Sequence, residues 1–389
     1  MSLILFFIFS ALAVLTKGPL GAIVPFLAVV TFLFIKKEIR YLFCGSIFWG
    51  MSIFLLISLP WYLLMIKKYG STFTYEFFYN DHLRRLWEAE HITNDTWYFY
   101  PFSMIGCMFP WSIFLAVALF YLVKNIKRVT PVQLFLICWI GVNFLVFQPA
   151  HSKLISYIFP VFPALALIAG DFIYNSALRE DKLRQFKILS LVTWSILLLM
   201  PLGIIFALIK FSHYLTSRMP AYLMFSLVVL WLSLILNAIL RHKFFRTVYL
   251  FTFLVPIFLV IVPFIKNDIE PYLSSRDACA YLMKNCPVEN TILASKFYLR
   301  GVRYYTGKEV ACLSPFQKNF FSPHPIQFLN TDEMVRDFLK SQPITYGVLK
   351  KNSVEDIERV AKDFGFKYTV LKVIGSEYLL KIEAKEKKK

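Results

Sequence analysis

Long apolar runs separated by short polar segments dominate the first two thirds of the chain. Runs of roughly twenty apolar residues have the length of a helix that crosses the hydrocarbon core of a bilayer. The pattern predicts about nine such helices, of which the first two are short and are joined by a turn at residues 16–19. The predicted spans cover residues 2–16, 19–35, 41–66, 101–123, 132–149, 154–176, 188–210, 220–240 and 247–265.

From about residue 267 the pattern changes to short β-branched or aromatic segments that alternate with amphipathic helical segments. Thr331 and Ser353 each precede acidic residues and predict capped helix starts. The sequence therefore predicts a polytopic α-helical membrane region at residues 1–266 and a small C-terminal α/β domain at 267–389. The strand-like segments are 291–294, 346–349, 368–374 and 378–382, and the helical ones are 274–285, 331–339 and 353–364.

Composition agrees with a membrane protein. Of 389 residues, 58% are hydrophobic and only 17% are charged, whereas soluble domains are about 45–50% apolar and about 25% charged. A water-soluble chain of this composition would lack the polar residues that cover its surface. A large soluble protein is therefore excluded.

The formal charge of +18 is carried largely by short clusters between the apolar runs. By the positive-inside rule, these clusters lie on the cytoplasmic side, where they suit anionic membrane lipids. The loops at 67–100 and 149–153 and the C-terminal domain then lie outside. No zinc-finger, RNP or basic-helix motif is present, so we expect no nucleic-acid partner. The clusters lie at 36–40, 124–128, 179–187 and 241–246.

Six cysteines add little to this picture. Cys279, Cys286 and Cys312 lie in the C-terminal region, where one pair could form a disulfide if the domain is extracytoplasmic. No pair of cysteines has the spacing of a metal site.

Several cations lie in apolar surroundings on the predicted outer side. Lys17 lies in the turn between the first two spans, either as an interfacial lysine that reaches water or as a contact for a lipid phosphate. In the loop 67–100, His82 and Arg85 would share one helix face, and the helix could equally be interfacial with self-paired charges, Arg84 with Glu88 and Asp81 with Arg85.

The stretch 151–170 combines cations with prolines. Lys153 would lie at the outer end of a predicted helix, beside His151 and one turn from Tyr157. Pro160 and Pro163 would break backbone hydrogen bonds and kink that helix. The combination predicts a cavity with a cationic rim, which suits an amphiphile with an anionic head, such as a polyprenyl phosphate.

Five motifs in order carry a resemblance to a known family. The chain resembles the bacterial branch of the protein O-mannosyltransferase superfamily, in particular the lipid A aminoarabinose (4-amino-4-deoxy-L-arabinose) transferases. The resemblance covers roughly residues 1–175. The motifs are LTKGP at 15–19, FFYNDHLRR at 77–85, WYFYP at 97–101, FPW at 109–111 and SKLISYIFPVFPALAL at 152–167.

The resemblance implies a GT-C-like fold in the bacterial inner membrane, with the C-terminal domain in the periplasm. It implies transfer of a sugar from a polyprenyl-phosphate donor to lipid A, or to a protein or glycan hydroxyl, through an oxocarbenium-like state. No cofactor is implied and no metal ligand is assigned, although a divalent metal ion stays open.

The resemblance also implies the residues of the site. Lys17, His82, Arg85, Lys153 and Tyr157 match family positions near the donor phosphate and its cavity. The roles of three further residues are left open, namely Arg84, His91 and His151.

The family's first outer loop, which carries its essential acidic residue, has no counterpart here. We therefore expect an N-terminally truncated chain, for which a separately encoded N-terminal half is a candidate partner, and the catalytic residue stays unknown. The outer-face carboxylates that could replace it are Glu76, Asp81, Glu88, Glu90 and Asp95.

Two alternatives remain open at this point. The chain could be a catalytically inactive or split-gene fragment that binds a lipid-linked sugar. It could also be a non-enzymatic lipid transporter, although transporters place ionisable residues near the bilayer midplane and here they lie at one face.

Overall fold

The structure is a computed structural model that describes residues 2–88, 94–177, 180–211, 217–313 and 326–383. The chain forms two compact units. The first comprises Met1–Met200 and Leu230–Thr252, and the second comprises Pro201–Val229 and Phe253–Lys389.

The first unit is built from apolar helices. Its core joins α5, α6, α7 and α8 through side chains that are buried among their neighbours, such as Tyr100, Leu115 and Leu165. Most of α10 and the first half of α11 belong to the second unit. The helices up to residue 252 are α1 (Ser2–Lys17), α2 (Leu20–Ile35), α3 (Gly45–Thr74), α4 (Arg84–Trp87), α5 (Phe99–Cys107), α6 (Ser112–Lys124), α7 (Pro131–Phe147), α8 (Val161–Ala177), α9 (Glu180–Leu197), α10 (Leu199–Phe211), α11 (Met219–Leu240) and α12 (Phe244–Thr252).

Length and composition identify the candidate membrane spans. Within the described ranges three helices can cross a bilayer, at Gly45–Asn80, Leu183–Lys210 and Met219–Leu240. Helices α5 and α6, bent by 119°, make a fourth if the pair is one span. Shorter apolar helices occupy Ser2–Lys17, Leu20–Ile35, Pro131–Phe147 and Val161–Ser176. The chain is thus a multi-pass membrane protein, and the count of nine spans stays a prediction.

The span predicted at 101–123 is broken. Helix α5 ends at Cys107 and α6 begins at Ser112. Pro110 lies in the break and has no N–H to continue the helical hydrogen bonds, while the Ser112 hydroxyl donates to the Ile105 carbonyl across it.

The loop predicted to begin at residue 67 is helical. Helix α3 continues to Thr74, with a break at Gly70, whose φ of 58° lies outside the helical region. A π-helical segment at Tyr75–Leu83 follows and leads into α4. Glycine tolerates the positive φ at no steric cost, which is why the chain changes direction there without leaving a helical hydrogen-bonding pattern.

The prolines at 160 and 163 begin a helix rather than kink one, so the prediction of a kinked helix from residue 154 is wrong. Residues Ile155–Ile158 form a single 3₁₀ turn, and α8 begins at Val161. Proline suits this position because the first helical N–H groups have no intrahelical acceptor. The Trp139 indole of α7 donates to the Pro160 carbonyl at 2.7 Å.

The second unit contains a six-stranded sheet in the order β3-β2-β1-β4-β6-β5. Strands β1 to β4 pair in parallel, whereas β6 is antiparallel to both β4 and β5. The strands are β1 (Ile292–Ser295), β2 (Val310–Leu313), β3 (Gln327–Leu329), β4 (Ile344–Leu349), β5 (Lys367–Ile374) and β6 (Glu377–Glu383), and the helices beyond α12 are α13 (Leu254–Leu273), α14 (Arg276–Asn285), α15 (Leu299–Thr306), α16 (Asp332–Lys340) and α17 (Lys351–Phe364).

Both faces of the sheet are covered. Ile292 and Ala294 pack into a core with α14 and α15, while Leu293 between them packs into a core with α16 and α17. Successive residues of a strand point to opposite faces, so a helical layer on each face buries the whole of β1.

The four predicted strands and three predicted helices of this region are present within a few residues. Strands β2 and β3 and helix α15 were not predicted. The Thr331 hydroxyl accepts from the Met334 N–H as a helix cap. Ser353 is not a cap, because α17 begins at Lys351 and the Ser353 hydroxyl bonds that of Ser295.

The disulfide that the sequence left open does not form, since all six cysteines are free. Cys279 and Cys312 are buried in the same core beside the sheet. Burial raises the pKa of the Cys279 thiol to about 12 and that of Cys312 to about 11, so both are neutral, unreactive packing residues.

A buried carboxyl group joins α14 to the sheet. Glu377 is 2% exposed, and its Oε1 accepts from the Ser275 hydroxyl. Its Oε2 has no hydrogen-bond partner among the described residues. Beside it, Gly375 approaches the Pro271 carbonyl so closely that a Cβ would lie 1.8 Å from that oxygen. Burial raises the pKa of the Glu377 carboxyl, which favours its protonated form in the folded chain.

Glu377→Gln should change how stability depends on pH. Because the pKa of Glu377 is raised in the folded chain, the unfolded chain releases this proton first as the pH rises. The contribution of Glu377 to the free energy of unfolding is therefore complete at low pH and falls as the pH rises above 4.5. One such group contributes a slope of at most about 1.4 kcal/mol per pH unit. Thermal unfolding of the detergent-solubilised chain across pH should show that the glutamine variant lacks this slope.

Glu383→Gln is the matched control, because Lys381 lowers the pKa of the Glu383 carboxyl and the sign reverses. Stability from Glu383 is present at neutral pH and is lost as the pH falls. Identical pH profiles for the wild type and Glu377→Gln would contradict a raised pKa of the Glu377 carboxyl in the folded chain.

Candidate functional site

A buried lysine lies in the segment between α7 and α8. Lys153 is 4% exposed, and its ammonium lies 3.2 Å from Oδ1 of Asp95. The other oxygen of that carboxylate, Oδ2, lies 2.7 Å from Nδ1 of His151. A buried ammonium without a counter-charge would be strongly destabilising, so Asp95 is what allows Lys153 to be charged here.

The charges of this cluster are fixed by their contacts. Because a carboxylate only accepts, His151 Nδ1 must carry a proton that it donates to Asp95. This hydrogen bond, followed by the weaker effect of Lys153, holds the pKa of the Asp95 carboxyl below its usual value. Asp95 is therefore ionised, and its side chain is 30% exposed, so the cluster opens to solvent on one side.

Further contacts hold the two segments of this cluster together. The Asn94 amide donates to the Lys153 carbonyl at 3.2 Å, and the Gln148 amide at the end of α7 donates to the Trp97 carbonyl. Tyr157 stacks on Phe147 of α7, with ring centroids 5.5 Å apart. Residues 94–97 and 151–158 are thereby fixed beside the end of α7.

A second cluster surrounds the turn between α1 and α2. Gly18 has a φ of +81°, and a Cβ at this position would lie 2.4 Å from His82 Nε2. His82 Nδ1 donates to the Phe77 carbonyl at 2.6 Å, which leaves Nε2 facing Gly18. Lys17, the last residue of α1, is exposed. The turn and the π-helical segment therefore meet.

The other predicted site residues contribute less. Arg84 pairs with Glu88 at 2.8 Å, as predicted for a self-paired helix. The side chains of Asp81 and Arg85 and the whole of His91 lie outside the described residues. The two clusters share no residue, so Lys17, His82 and Lys153 fall into two groups.

No group of three or more His, Cys, Asp or Glu side chains able to hold a metal ion occurs within the described part of the chain.

Sequence reasoning missed the role of Asp95. It was only one of five outer-face carboxylates, and nothing local distinguished it. The signal that was available is electrostatic: a lysine predicted in an apolar segment requires an anionic partner on the same side. Because the two residues are 58 positions apart, helical spacing could not select it.

Curated proteins align with about half of the chain. It is 29% identical over 202 residues to the undecaprenyl phosphate-alpha-4-amino-4-deoxy-L-arabinose arabinosyl transferase of Shewanella sediminis. It is 33% identical over 188 residues to the enzyme of the same name from Pectobacterium atrosepticum, and 31% over 216 residues to an uncharacterized protein of Aquifex aeolicus. These alignments cover 51%, 47% and 55% of this chain, and 35%, 33% and 40% of the relatives. No family model matches the chain.

Solved structures match almost the whole fold. The crystal structure of ArnT from Cupriavidus metallidurans bound to undecaprenyl phosphate superposes on 96% of this chain and 67% of its own, with a TM-score of 0.66 and 15% identity. Its apo structure gives a TM-score of 0.67 at 16% identity. The chain therefore shares the fold of the ArnT structures. It is similar to the curated arabinosyl transferases named above, and it spans two fifths or less of the length of these curated relatives.

Gly18→Ala should disturb the second cluster. The new Cβ would clash with the His82 ring and would require a positive φ that alanine avoids, which together cost about 1–3 kcal/mol. Thermal unfolding should show a lower midpoint than the wild type. Gly141→Ala is the control, because no atom lies within 4 Å of its Cβ position. Equal midpoints for the two variants would show that His82 does not pack against Gly18.

Proposed function

We propose that this chain belongs to a membrane glycosyltransferase that moves a sugar from a polyprenyl-phosphate donor to a periplasmic acceptor such as lipid A. The observation that carries the proposal is the buried Lys153, paired with Asp95 beside His151 in a chain with the ArnT fold. The names of the curated relatives support the donor class, since they describe transferases of an undecaprenyl phosphate-linked sugar.

Lys153 is proposed to contact the donor phosphate. Its ammonium has been removed from bulk water, so an anion that reaches it interacts through a low local dielectric constant and weak screening. The His151 imidazole is a second hydrogen-bonding group of the site, and it is half exposed on the side of the cluster that opens to solvent. A positive group held as Lys153 is stabilises the charge that grows on the phosphate as the bond to the sugar carbon breaks.

Asp95 is proposed to position Lys153 and His151 rather than to act as a base. A general base works best when its pKa is near the ambient pH, and contacts with His151 and Lys153 shift the pKa of Asp95 in the opposite direction. A hydroxyl acceptor would need a base, whereas the phosphate of lipid A is already anionic. The cluster therefore supports a phosphate acceptor over a hydroxyl.

The remaining site residues and the topology follow as parts of the same proposal. Lys17, His82 and Arg85 belong to the donor site, and Tyr157 belongs to its cavity. We place residues 1–266 in the bacterial inner membrane and residues 267–389 in the periplasm. The cationic clusters at 124–128 and 241–246, on the opposite side by helix alternation, support this orientation.

Lys153→Met should weaken binding of undecaprenyl phosphate by the chain in detergent about tenfold or more, because a charge-assisted hydrogen bond is lost. Fluorescence quenching or microscale thermophoresis measures the affinity. Asp95→Asn should also change the affinity for undecaprenyl phosphate, because the neutral amide leaves the ammonium of Lys153 without its anionic partner. Lys124→Met, at the exposed end of α6, is the control.

Equal affinity of Lys153→Met and Lys124→Met would remove Lys153 from the donor site. Transfer of radiolabelled sugar to lipid A by the same preparations then tests the reaction itself. Binding that depends on Lys153 without any transfer would restrict this chain to donor recognition.

The proposed orientation can be tested separately. A periplasm-active alkaline phosphatase fused to the C-terminus should be active in intact cells, while a fusion after Arg128 should be inactive because that residue lies in a cationic loop. The reverse pattern would overturn the orientation and remove the donor site from the periplasmic face.

A further inference from the structure

An apolar cavity lies in the first unit, beside the break between α5 and α6. Its volume is about 340 Å³, near the lower end of the range of about 300–1,000 Å³ for sites that hold small molecules. Met108 and Trp111 form its wall at the break, and Phe244 and Val248 form the wall on α12. The third side is α8, and the side chains described around the cavity are apolar or aromatic. The apolar part of an amphiphile therefore suits it.

Helix α8 presents small residues to this cavity. Ala166, Gly170 and Tyr174 are spaced four apart and share one helix face. A Cβ added at Gly170 would have no atom within 4 Å, so the helix leaves room for a chain there. The Asp171 carboxylate accepts from the Gln133 amide of α7 and does not line the cavity. Tyr174, in the last turn of α8, is 58% exposed, as tyrosines at a membrane–water interface are, which indicates that the cavity reaches that interface.

Cations border the cavity where α12 begins. Arg241 and Lys243 lie in the turn before α12 and Arg246 lies in its first turn, and all three are exposed. From α9, the Lys187 ammonium donates to His242 Nε2 at 3.4 Å, so a fourth cation is held at the same turn. The N-terminal N–H groups of α12 add a partial positive charge. An anionic head group beside the cavity would therefore meet several positive groups at once.

The head group decides which lipid occupies such a cavity. Lipid tails are as apolar as the lining, so a hydrocarbon chain gains little by leaving the bilayer for the cavity. Each Lys or Arg near the membrane surface, in contrast, favours an anionic lipid by about fivefold. The cations belong to the cluster at 241–246, which helix alternation places on the opposite side from Lys153. A donor phosphate bound at Lys153 therefore cannot also lie here.

We propose that this cavity holds an acyl chain of an anionic glycerophospholipid, whose phosphate lies at Arg241, Lys243 and Arg246. The lipid belongs to the leaflet that faces the cationic loops. This site is separate from Lys153 and does not depend on the proposed transfer reaction.

Brominated lipids test the proposal, because Trp111 lines the cavity and bromine quenches indole fluorescence on contact. The full chain in an uncharged detergent is titrated with dibromostearoyl phosphatidylglycerol or with the matching phosphatidylcholine. The signal of the cavity is the difference between the wild type and Trp111→Phe. We expect phosphatidylglycerol to quench this signal at a mole fraction about tenfold or more below that of phosphatidylcholine.

A cavity-filling variant tests where the acyl chain lies. Gly170→Leu should remove most of the Trp111 quenching by either lipid, because the leucine side chain takes the space of the chain. Gly141→Leu on α7 is the control, since a Cβ there also has no atom within 4 Å and the residue does not line the cavity. Quenching that persists in Gly170→Leu as in Gly141→Leu would overturn the proposal.

The double variant Lys243→Gln, Arg246→Gln tests the head group without altering the cavity lining. It should reduce the preference for phosphatidylglycerol about tenfold or more, while quenching at saturating lipid persists. Lys124→Gln, Lys127→Gln is the matched control, because it removes the same charge from another exposed cationic loop.

Three further results would overturn the proposal. They are equal quenching by the two lipids, an equal loss of preference in the two double variants, and no difference between the wild type and Trp111→Phe. Undecaprenyl phosphate at an equimolar amount should leave the Trp111 quenching by phosphatidylglycerol unchanged. Its displacement of that lipid would assign the cavity to the donor and would also overturn the proposal, whereas the proposed transfer reaction would stand.

Discussion

The charge of Lys153 is the constraint on which the proposed site depends. A lysine that is 4% exposed needs an anion, and that anion comes from Asp95, 58 residues earlier in the chain. This ion pair brings the loop before α5 against the segment before α8. The Asn94 amide, the Gln148 amide and the stack of Tyr157 on Phe147 hold the two segments beside the end of α7. The arrangement concentrates positive charge where an amphiphile with an anionic head could reach it.

The helical content of the first unit could be predicted from apolar run length, because each run must be buried or must face lipid. The positions where these helices break could not be predicted in this way. Gly70 and Pro110 interrupt apolar segments without changing their hydropathy, and Pro160 and Pro163 suit a helix start as well as a kink. In the site, the motif residues were identified by resemblance, but the partner of Lys153 depends on a long-range contact that no local period encodes. Strand β3 was missed because three residues give almost no periodic signal.

In the second unit, some polar groups are buried beside the sheet and others line an accessible cleft at its edge. Helices pack on both faces of its sheet, so Cys279 and Cys312 serve as packing residues and burial raises the pKa of the Glu377 carboxyl. A polar cleft lies at the amino ends of β1 to β3. The same architecture therefore combines a buried interior with an accessible polar surface.

The π-helical segment at Tyr75–Leu83 changes which residues are neighbours. Phe73 and Phe77 stack at 5.3 Å and Phe77 contacts the His82 ring at 4.9 Å, so the successive members of this aromatic column are four and then five residues apart. An α-helical wheel, with a repeat of 3.6, would place His82 on a different side from Phe73. Alignments or saturation mutagenesis that assume the α-helical repeat would therefore misassign the sensitive positions of this segment, and loss of one residue here would rotate everything up to Trp87 away from the first turn.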